Sequence, residues 1–323
     1  MNISEKSVIA MDIGGTKLAA ALISPDGELR GRIEVPTCQT GKEQGFQQIC
    51  DVFESVLSES GVFPSDVSGI GIGIPAVLEK GSRQIIWAPN INGWKNFDLR
   101  KQLEEELNLP VYMEYDGHTA VLGEWWLGAG KDCESVVMVV IGTGIGGGTI
   151  LEGKLIRGIN GLAGAVGWFA MTSNSQLMET DNRNLGHWES LAAGPGIAKR
   201  AAQLLDQNPE SLLNKFEKEK ITARIVFDLA RKDDIFCLKI VNETAGFLGL
   251  GISNIVDMIN PEKIILGGSV GRQLDLMKPE IQRVMNKWAQ PISSKTVKLE
   301  QALLGADVGL YGAAFAAFNR SKF

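Results

Sequence analysis

Met11-Asp12-Ile13-Gly14-Gly15-Thr16-Lys17 and Ile141-Gly142-Thr143-Gly144-Ile145-Gly146-Gly147-Gly148 are the stretches on which the fold turns. Each follows an apolar, β-branched run (Ser7–Met11 and Val136–Ile141), and each leads into a second strand rather than a helix. Bare backbone N–H groups in such a turn make a concave anion site, because glycine lets an oxyanion approach the chain closely. Two of them in one chain imply one polyphosphate held from two sides, and therefore a nucleotide-dependent phosphotransferase.

The surroundings of the two turns repeat. Leu18–Ile23 leads to the turn signal Ser24-Pro25-Asp26-Gly27 and a third strand near Glu28–Glu34. After the second turn come Thr149–Leu151, the turn Glu152-Gly153-Lys154 and Leu155–Arg157. The unit strand, glycine turn, strand, tight turn, strand thus occurs twice, which reads as an internal duplication. Between the units, Phe46, Ile49, Phe53 and Val56 stand at helical spacing within Gln44–Ser60. Val67–Ile74 is a glycine-laced strand stopped by Pro75, and Leu99, Leu103 and Leu107 form the stripe of another helix. Pro110–Glu114 is a short strand running into Asp116 and a helix through about Leu127. Beyond the second unit, Phe169–Asn184 is polar and irregular. Helices are expected from Ser190 to about Ala202, over Pro209–Phe216, Thr222–Lys232 and Ile235–Met258, and at the end over Leu310–Asn319. A strand, Lys263–Leu266, ends in Gly267-Gly268-Ser269. Strands interleaved with helices give an α/β class.

Bulk properties narrow the function. The 323 residues suit two domains around one cleft. A net charge of −6 without a basic stripe argues against a nucleic-acid partner. No uninterrupted apolar run is long enough for a bilayer, and Met1–Lys6 lacks the regions of a signal peptide, so a cytoplasmic protein without a membrane partner is expected. Cys38, Cys50, Cys133 and Cys237 form no Cys-x-x-Cys pair and read as reduced thiols. Gly142–Gly148 also satisfies Gly-x-Gly-x-x-Gly, but a dinucleotide turn must open a helix, and the hairpin pattern disfavours an NAD-dependent oxidoreductase. The first turn lacks the spacing of a Walker loop.

Asp-Ile-Gly-Gly-Thr-Lys (12–17), Ala-Pro-Asn with Gly-Trp (88–94), Asp116 with Gly123-Glu124, the glycine run 142–148 and Gly267-Gly268 occur in an order that resembles the ROK family over nearly the whole chain. That family comprises sugar kinases and sugar-responsive repressors. The resemblance implies two actin/hexokinase-like, ribonuclease H-like α/β domains flanking a nucleotide cleft: residues 1–118 with the C-terminal helix 308–323, and residues 119–307. A strand beginning near residue 7 leaves no room for the helix-turn-helix that the repressors carry. The resemblance further implies ATP and Mg²⁺ as cofactors, with Asp12 near the metal. Gly14, Gly15, Thr16, Lys17, Gly142, Thr143, Gly144, Gly267 and Gly268 would surround the nucleotide. Asp116 would be the general base, Asn90 and Glu189 would hold the acceptor, and a homodimer is expected. Asp307 and Gly309 match the family's closing segment and read as structural. The acceptor would be a sugar, amino sugar or cyclitol.

The departures matter equally. Tyr115-Asp116 stands where the family has Asn-Asp, and Gly164-Ala165-Val166-Gly167-Trp168 where it has Gly-Glu-x-Gly-His. The family's three zinc cysteines fall on Thr180, Asn182 and His187, so no zinc site is expected. Tyr115, His118, Trp168 and His187 then become the candidates to replace the lost acceptor contacts. Either the pocket is rebuilt for a different ring, or the chain is a non-catalytic sugar-binding sensor. Retention of Asp12, Asp116 and both turns favours catalysis. Each candidate also has a plain structural role open to it: Asp12 as a turn aspartate, Asp116 as a helix N-cap, His118 as a first-turn surface residue, Trp168 as half-buried packing.

Overall fold

The computed structural model describes residues 6–172 and 185–319. Its first half begins with β1 (Ser7–Ile13), β2 (Lys17–Ile23) and β3 (Leu29–Pro36), followed by helix α1 (Lys42–Ser60) and β4 (Val67–Ile74). Three short strands, β5 (Val77–Leu78), β6 (Ile85–Trp87) and β7 (Lys95–Phe97), make a small separate sheet. Helix α2 (Leu99–Leu107), strand β8 (Val111–Tyr115) and helix α3 (Asp116–Leu127) follow. The main sheet has the order β3-β2-β1-β4-β8, antiparallel across the first three strands and parallel across the rest.

The second half repeats this plan with β9 (Val136–Ile141), β10 (Ile145–Leu151), β11 (Lys154–Leu155), β12 (Lys263–Gly267) and β13 (Lys298–Gln301). The order is β11-β10-β9-β12-β13, with the same division into antiparallel and parallel pairs. The duplication expected from the two hairpins is therefore present at the level of whole sheets. Both glycine turns join the first and second strands of their sheets, at equivalent places.

Strand β4 shows how the pattern builds the packing. Successive side chains of a strand face opposite ways. In Gly-Ile-Gly-Ile-Gly-Ile, residues Ile70, Ile72 and Ile74 enter the core beneath α1, beside Ile49, Phe53 and Val56. The opposite face carries no side chain, so the backbone of the last helix, α11 (Val308–Phe318), seats on it: a Cβ at Gly71 would strike the Ala313 carbonyl. Helix α1 stops at Gly61, which takes a left-handed φ of 65° and donates its N–H to Leu57 and Ser58. Helix α3 runs without a break past residue 118, packing against both α11 and strands β9 and β10.

Between β11 and β12 lie α4 (His187–Ala192), α5 (Gly194–Leu204), α6 (Ala223–Ala230) and α7 (Ile235–Ile259). The single helix expected from Ser190 is broken at Ala193, because Pro195 cannot donate the amide a continuous helix needs. Arg200 Nη1 instead donates to the Leu191 carbonyl at 2.7 Å. The helix expected over 209–216 is only a 3₁₀ turn, Leu212–Lys215. Strand β10 starts at Ile145, four residues before the expected Thr149. Helix α7, 25 residues long, is apolar enough to cross a membrane by length and composition, although Lys239, Glu243 and Asp257 interrupt its apolar run; more than half of its most apolar stretch is buried inside the protein. Its apolar face packs on helix α9 (Leu274–Trp288), an element the sequence reading leaves unassigned, as are β13 and the small sheet. A four-residue turn of helix, α8 (Gly268–Gly271), separates β12 from α9, and another, α10 (Ser293–Thr296), precedes β13.

Candidate active site

The first hairpin is tied down through its carbonyls. Gly14 N–H donates to Lys17 O at 2.8 Å, Thr37 N–H to Thr16 O at 3.0 Å, Thr37 Oγ1 to Gly14 O at 2.7 Å and Gln39 Nε2 to Gly15 O at 2.6 Å. The amides of Gly15 and Thr16 have no partner among the described residues. Thr16 and Lys17 are exposed, and Lys17 Nζ lies 3.2 Å from Glu34. The second hairpin has the same form: Gly142 N–H donates to Gly144 O at 2.9 Å, Gly194 N–H to Gly142 O at 2.8 Å and Ile145 N–H to Glu189 Oε2 at 2.7 Å. The amides of Thr143 and Gly144 have no partner among the described residues. Each turn therefore offers two adjacent N–H donors, the requirement for an anion cradle. Gly146, Gly147 and Gly148 belong to strand β10, not to the turn. A Cβ at Gly147 would strike Met138 O, and one at Gly148 would lie 2.5 Å from Gly117 O of α3.

Gly267-Gly268 ends β12 beside the second hairpin. Gly268 has φ 77°, and a Cβ there would strike the Ile141 carbonyl; Ser269 Oγ is the nearest atom to where a Cβ on Gly142 would stand. Asn90 lies against the first hairpin, its Cβ 2.9 Å from where a Cβ on Gly15 would stand. Gln39 joins the two, because its Oε1 accepts from Asn92 N–H at 3.0 Å.

Asp12, the penultimate residue of β1, and Asp116, the first residue of α3, form the acidic floor. Burial chiefly, then the charge of Asp116, pushes Asp12 up to about 7, with Lys17 pulling down and Asp307 adding to the rise. Burial pushes Asp116 up to about 6, against the stabilising bond from Gly117 N–H to its Oδ1 (2.8 Å) and the influence of His118. Asp116 is thus inside the helix rather than capping it, with Tyr115 at the cap position. Its Oδ2 makes no described protein hydrogen bond. A Cβ on Gly309 would lie 2.5 Å from Asp12 Oδ2, so Asp12 occupies the space that glycine leaves. Asp307 accepts from Arg32 Nε at 2.7 Å. Asp307 and Gly309, read from the sequence as structural, therefore border the acidic floor. No local signal marks them, because they reach it only through the return of α11.

Tyr115 and Glu189 close the other side. The Tyr115 hydroxyl stands 2.9 Å from where a Cβ on Gly146 would be. Its pKa is raised by burial first and then by the charges of Asp116 and Glu189, so both carboxylates are near it. Glu189 is raised by burial, against the bond from Ile145 N–H. Trp168 is 60% exposed.

The two histidines differ from each other. His118 is not a surface residue but fully buried, its Nε2 2.9 Å from Ala163 O and its Nδ1 3.4 Å from Glu114 Oε2. Both nitrogens are thereby engaged inside the protein, which leaves neither for an acceptor. His187 Nδ1 accepts from Met171 N–H at 2.9 Å, and its buried Nε2 has no partner among the described residues. Thr180 and Asn182 lie outside the described residues. Trp188 is core: it is wholly buried, stacks on Phe169 and donates to Phe247 O at 2.9 Å. Thr37, Gln39, Glu114, Arg83 and Arg157, which sequence reasoning missed, anchor the site from behind.

The ROK family model matches residues 8–320. A glucokinase from Halalkalibacterium halodurans is 34% identical over 312 residues, covering 96% of this chain and 94% of that protein. A ROK hexokinase structure from Thermus thermophilus is 30% identical, with a TM-score of 0.78 and coverage of 98% of this chain and 99% of that one. A ROK family glucokinase from Streptomyces griseus, crystallised with glucose and AMPPNP, is 28% identical, with a TM-score of 0.78 over 95% of this chain and 98% of that one.

Proposed function

Because the chain belongs to the ROK family, we propose that it is an ATP-dependent kinase that phosphorylates a hydroxyl of a sugar, amino sugar or cyclitol. The observation that carries the reading is the set of unpartnered amides, Gly15 and Thr16 on one hairpin and Thr143 and Gly144 on the other, in a chain that also holds Asp116 with one carboxylate oxygen uncommitted.

The residues fit the groups this chemistry needs. Two pairs of N–H donors suit phosphate oxygens, Lys17 adds a cation, and Gly267-Gly268, packed against the second hairpin at Ile141, would border the nucleoside end. Asp12, crowded by Asp116 and Asp307, is a carboxylate whose raised pKa a divalent cation would reverse, which suits Mg²⁺ held through Asp12, in part through water. Bound with the nucleotide, Mg²⁺ would supply neutralisation of the charge on the transferring phosphoryl group. Asp116 accepts the proton of the attacking hydroxyl through Oδ2, while Gly117 N–H fixes the carboxylate through Oδ1. Asn90, Tyr115, Trp168 and Glu189 hold the acceptor. His187 borders that group. The domains are residues 1–118 with the C-terminal helix, and residues 119–307, and their closure excludes water. We take the protein to be a cytoplasmic homodimer.

ADP release over a panel of hexoses, amino sugars and inositols tests the reading. Turnover confined to one or a few acceptors is expected. No turnover on any acceptor, with sugar binding retained, would establish the sensor instead.

A further inference from the structure

Phosphoryl transfer does not use the buried charge around Glu114. This carboxylate, on β8 two residues before Asp116, accepts from Arg157 Nε at 2.9 Å and Nη2 at 2.6 Å, pairs with Arg83 Nη2 at 2.5 Å and faces His118 Nδ1 at 3.4 Å. Burial pushes Glu114 up, but His118, Arg83 and Arg157 outweigh it and hold the group down at about 2. Its partners come from three segments. His118 is in the first turn of α3, which Asp116 begins. Arg83 is in the turn between β5 and β6, within the small sheet that carries the Asn90 loop. Arg157 follows β11 and opens the loop that ends at Trp168. That loop is fastened twice more: Ala163 N–H donates to Arg157 O at 3.0 Å, and Ala163 O accepts from His118 Nε2 at 2.9 Å.

We infer that Glu114 is a positioning residue that registers both acceptor-facing segments, 79–97 and 156–168, against the junction bearing Asp116. The geometry is specific. A guanidinium fork gripping one carboxylate oxygen fixes direction as well as distance. Taking the carboxylate charge away leaves two guanidinium groups in a confined space with no anion between them, so both segments move off together. Neither Glu114 nor the arginines need touch the substrate. The consequence for turnover rests on the kinase reading; the registration itself does not.

Two variants test it. In Glu114→Gln, backbone amide exchange should quicken in 79–97 and 156–168 together, while strands β12 and β13 keep their protection. In Arg83→Ala, a change near the rim, the acceptor KM should rise about tenfold with the ATP KM unchanged, and Arg83→Lys should restore only part of it. Exchange unchanged in either segment of Glu114→Gln, or quickened equally through both sheets, overturns the inference. So does an unchanged acceptor KM in Arg83→Ala. A wild-type protein that turns over no acceptor strikes the kinase reading alone, and the exchange result still decides the registration.

Discussion

In the first hairpin, side chains from outside the sheet, Thr37 and Gln39, take up the carbonyls of Gly14 and Gly15. In the second, the work falls to the backbone of Gly194 and the carboxylate of Glu189. The first hairpin opens into an ordinary apolar strand whose edge neighbour β3 alternates partly buried and exposed positions. The second opens into Gly146-Gly147-Gly148, which lets helix α3 and the loop at Gly164 approach the sheet backbone directly. Glycine in the first unit shapes a turn. In the second it also seats the first turn of α3, which Asp116 begins, on β10, because α3 is pressed onto that strand where side chains are missing.

The sharpest test of this division separates chemistry from binding. Asp116→Asn should lower kcat by about a thousandfold, and leave ATP affinity within about twofold. Full activity in that variant, measured by ADP release, would move the base elsewhere and with it the role given to the second hairpin. Next in size, Gly147→Ala, whose Cβ would strike Met138 O, should cost about 3 kcal/mol of stability, whereas Gly142→Ala should cost little, since the nearest atom to its added Cβ, Ser269 Oγ, is 3.9 Å away. Denaturant melts of the pair would erase the proposed contrast if both lost equal stability.

Acidity probes the floor beneath the two hairpins. With Asp116 raised to about 6, kcat/KM should fall roughly tenfold for each pH unit below that value, as the base becomes protonated. A profile flat down to pH 5 would contradict this. Asp12 adds a stability effect of defined sign. A carboxylate raised to about 7 in the fold, from about 4 when unfolded, binds more protons folded than unfolded. Its contribution is full below the unfolded value and is lost as pH rises through about 7. Asp12→Asn should therefore raise the Tm of the ligand-free protein at pH 8 and leave it nearly unchanged near pH 4. A lower Tm at pH 8 would mean that Asp12 is held by partners other than those described.

The smallest effect belongs to Lys17. Its pair with Glu34 is exposed, so Lys17→Met should leave stability within about 1 kcal/mol. The ATP KM should rise about threefold from loss of one phosphate contact. An unchanged KM would leave the first hairpin with its amides alone.

The chain's local patterns determined the two hairpins, the alternation of β4, the α1 stripe and the α/β class, because strand period, helix period and turn chemistry are all written within a few neighbouring residues. They also marked Asp12 by its position just ahead of the first turn, whereas Asp116 was singled out through the resemblance to the ROK family. Only the tertiary structure decided that His118 is sealed behind the site, that Glu189 braces the second hairpin and that Asp307 borders Asp12. Those facts depend on contacts such as Arg32 with Asp307, 275 residues apart. Nothing local encodes such a meeting. It follows from which faces the two sheets leave bare of side chains, and from the helices that settle there.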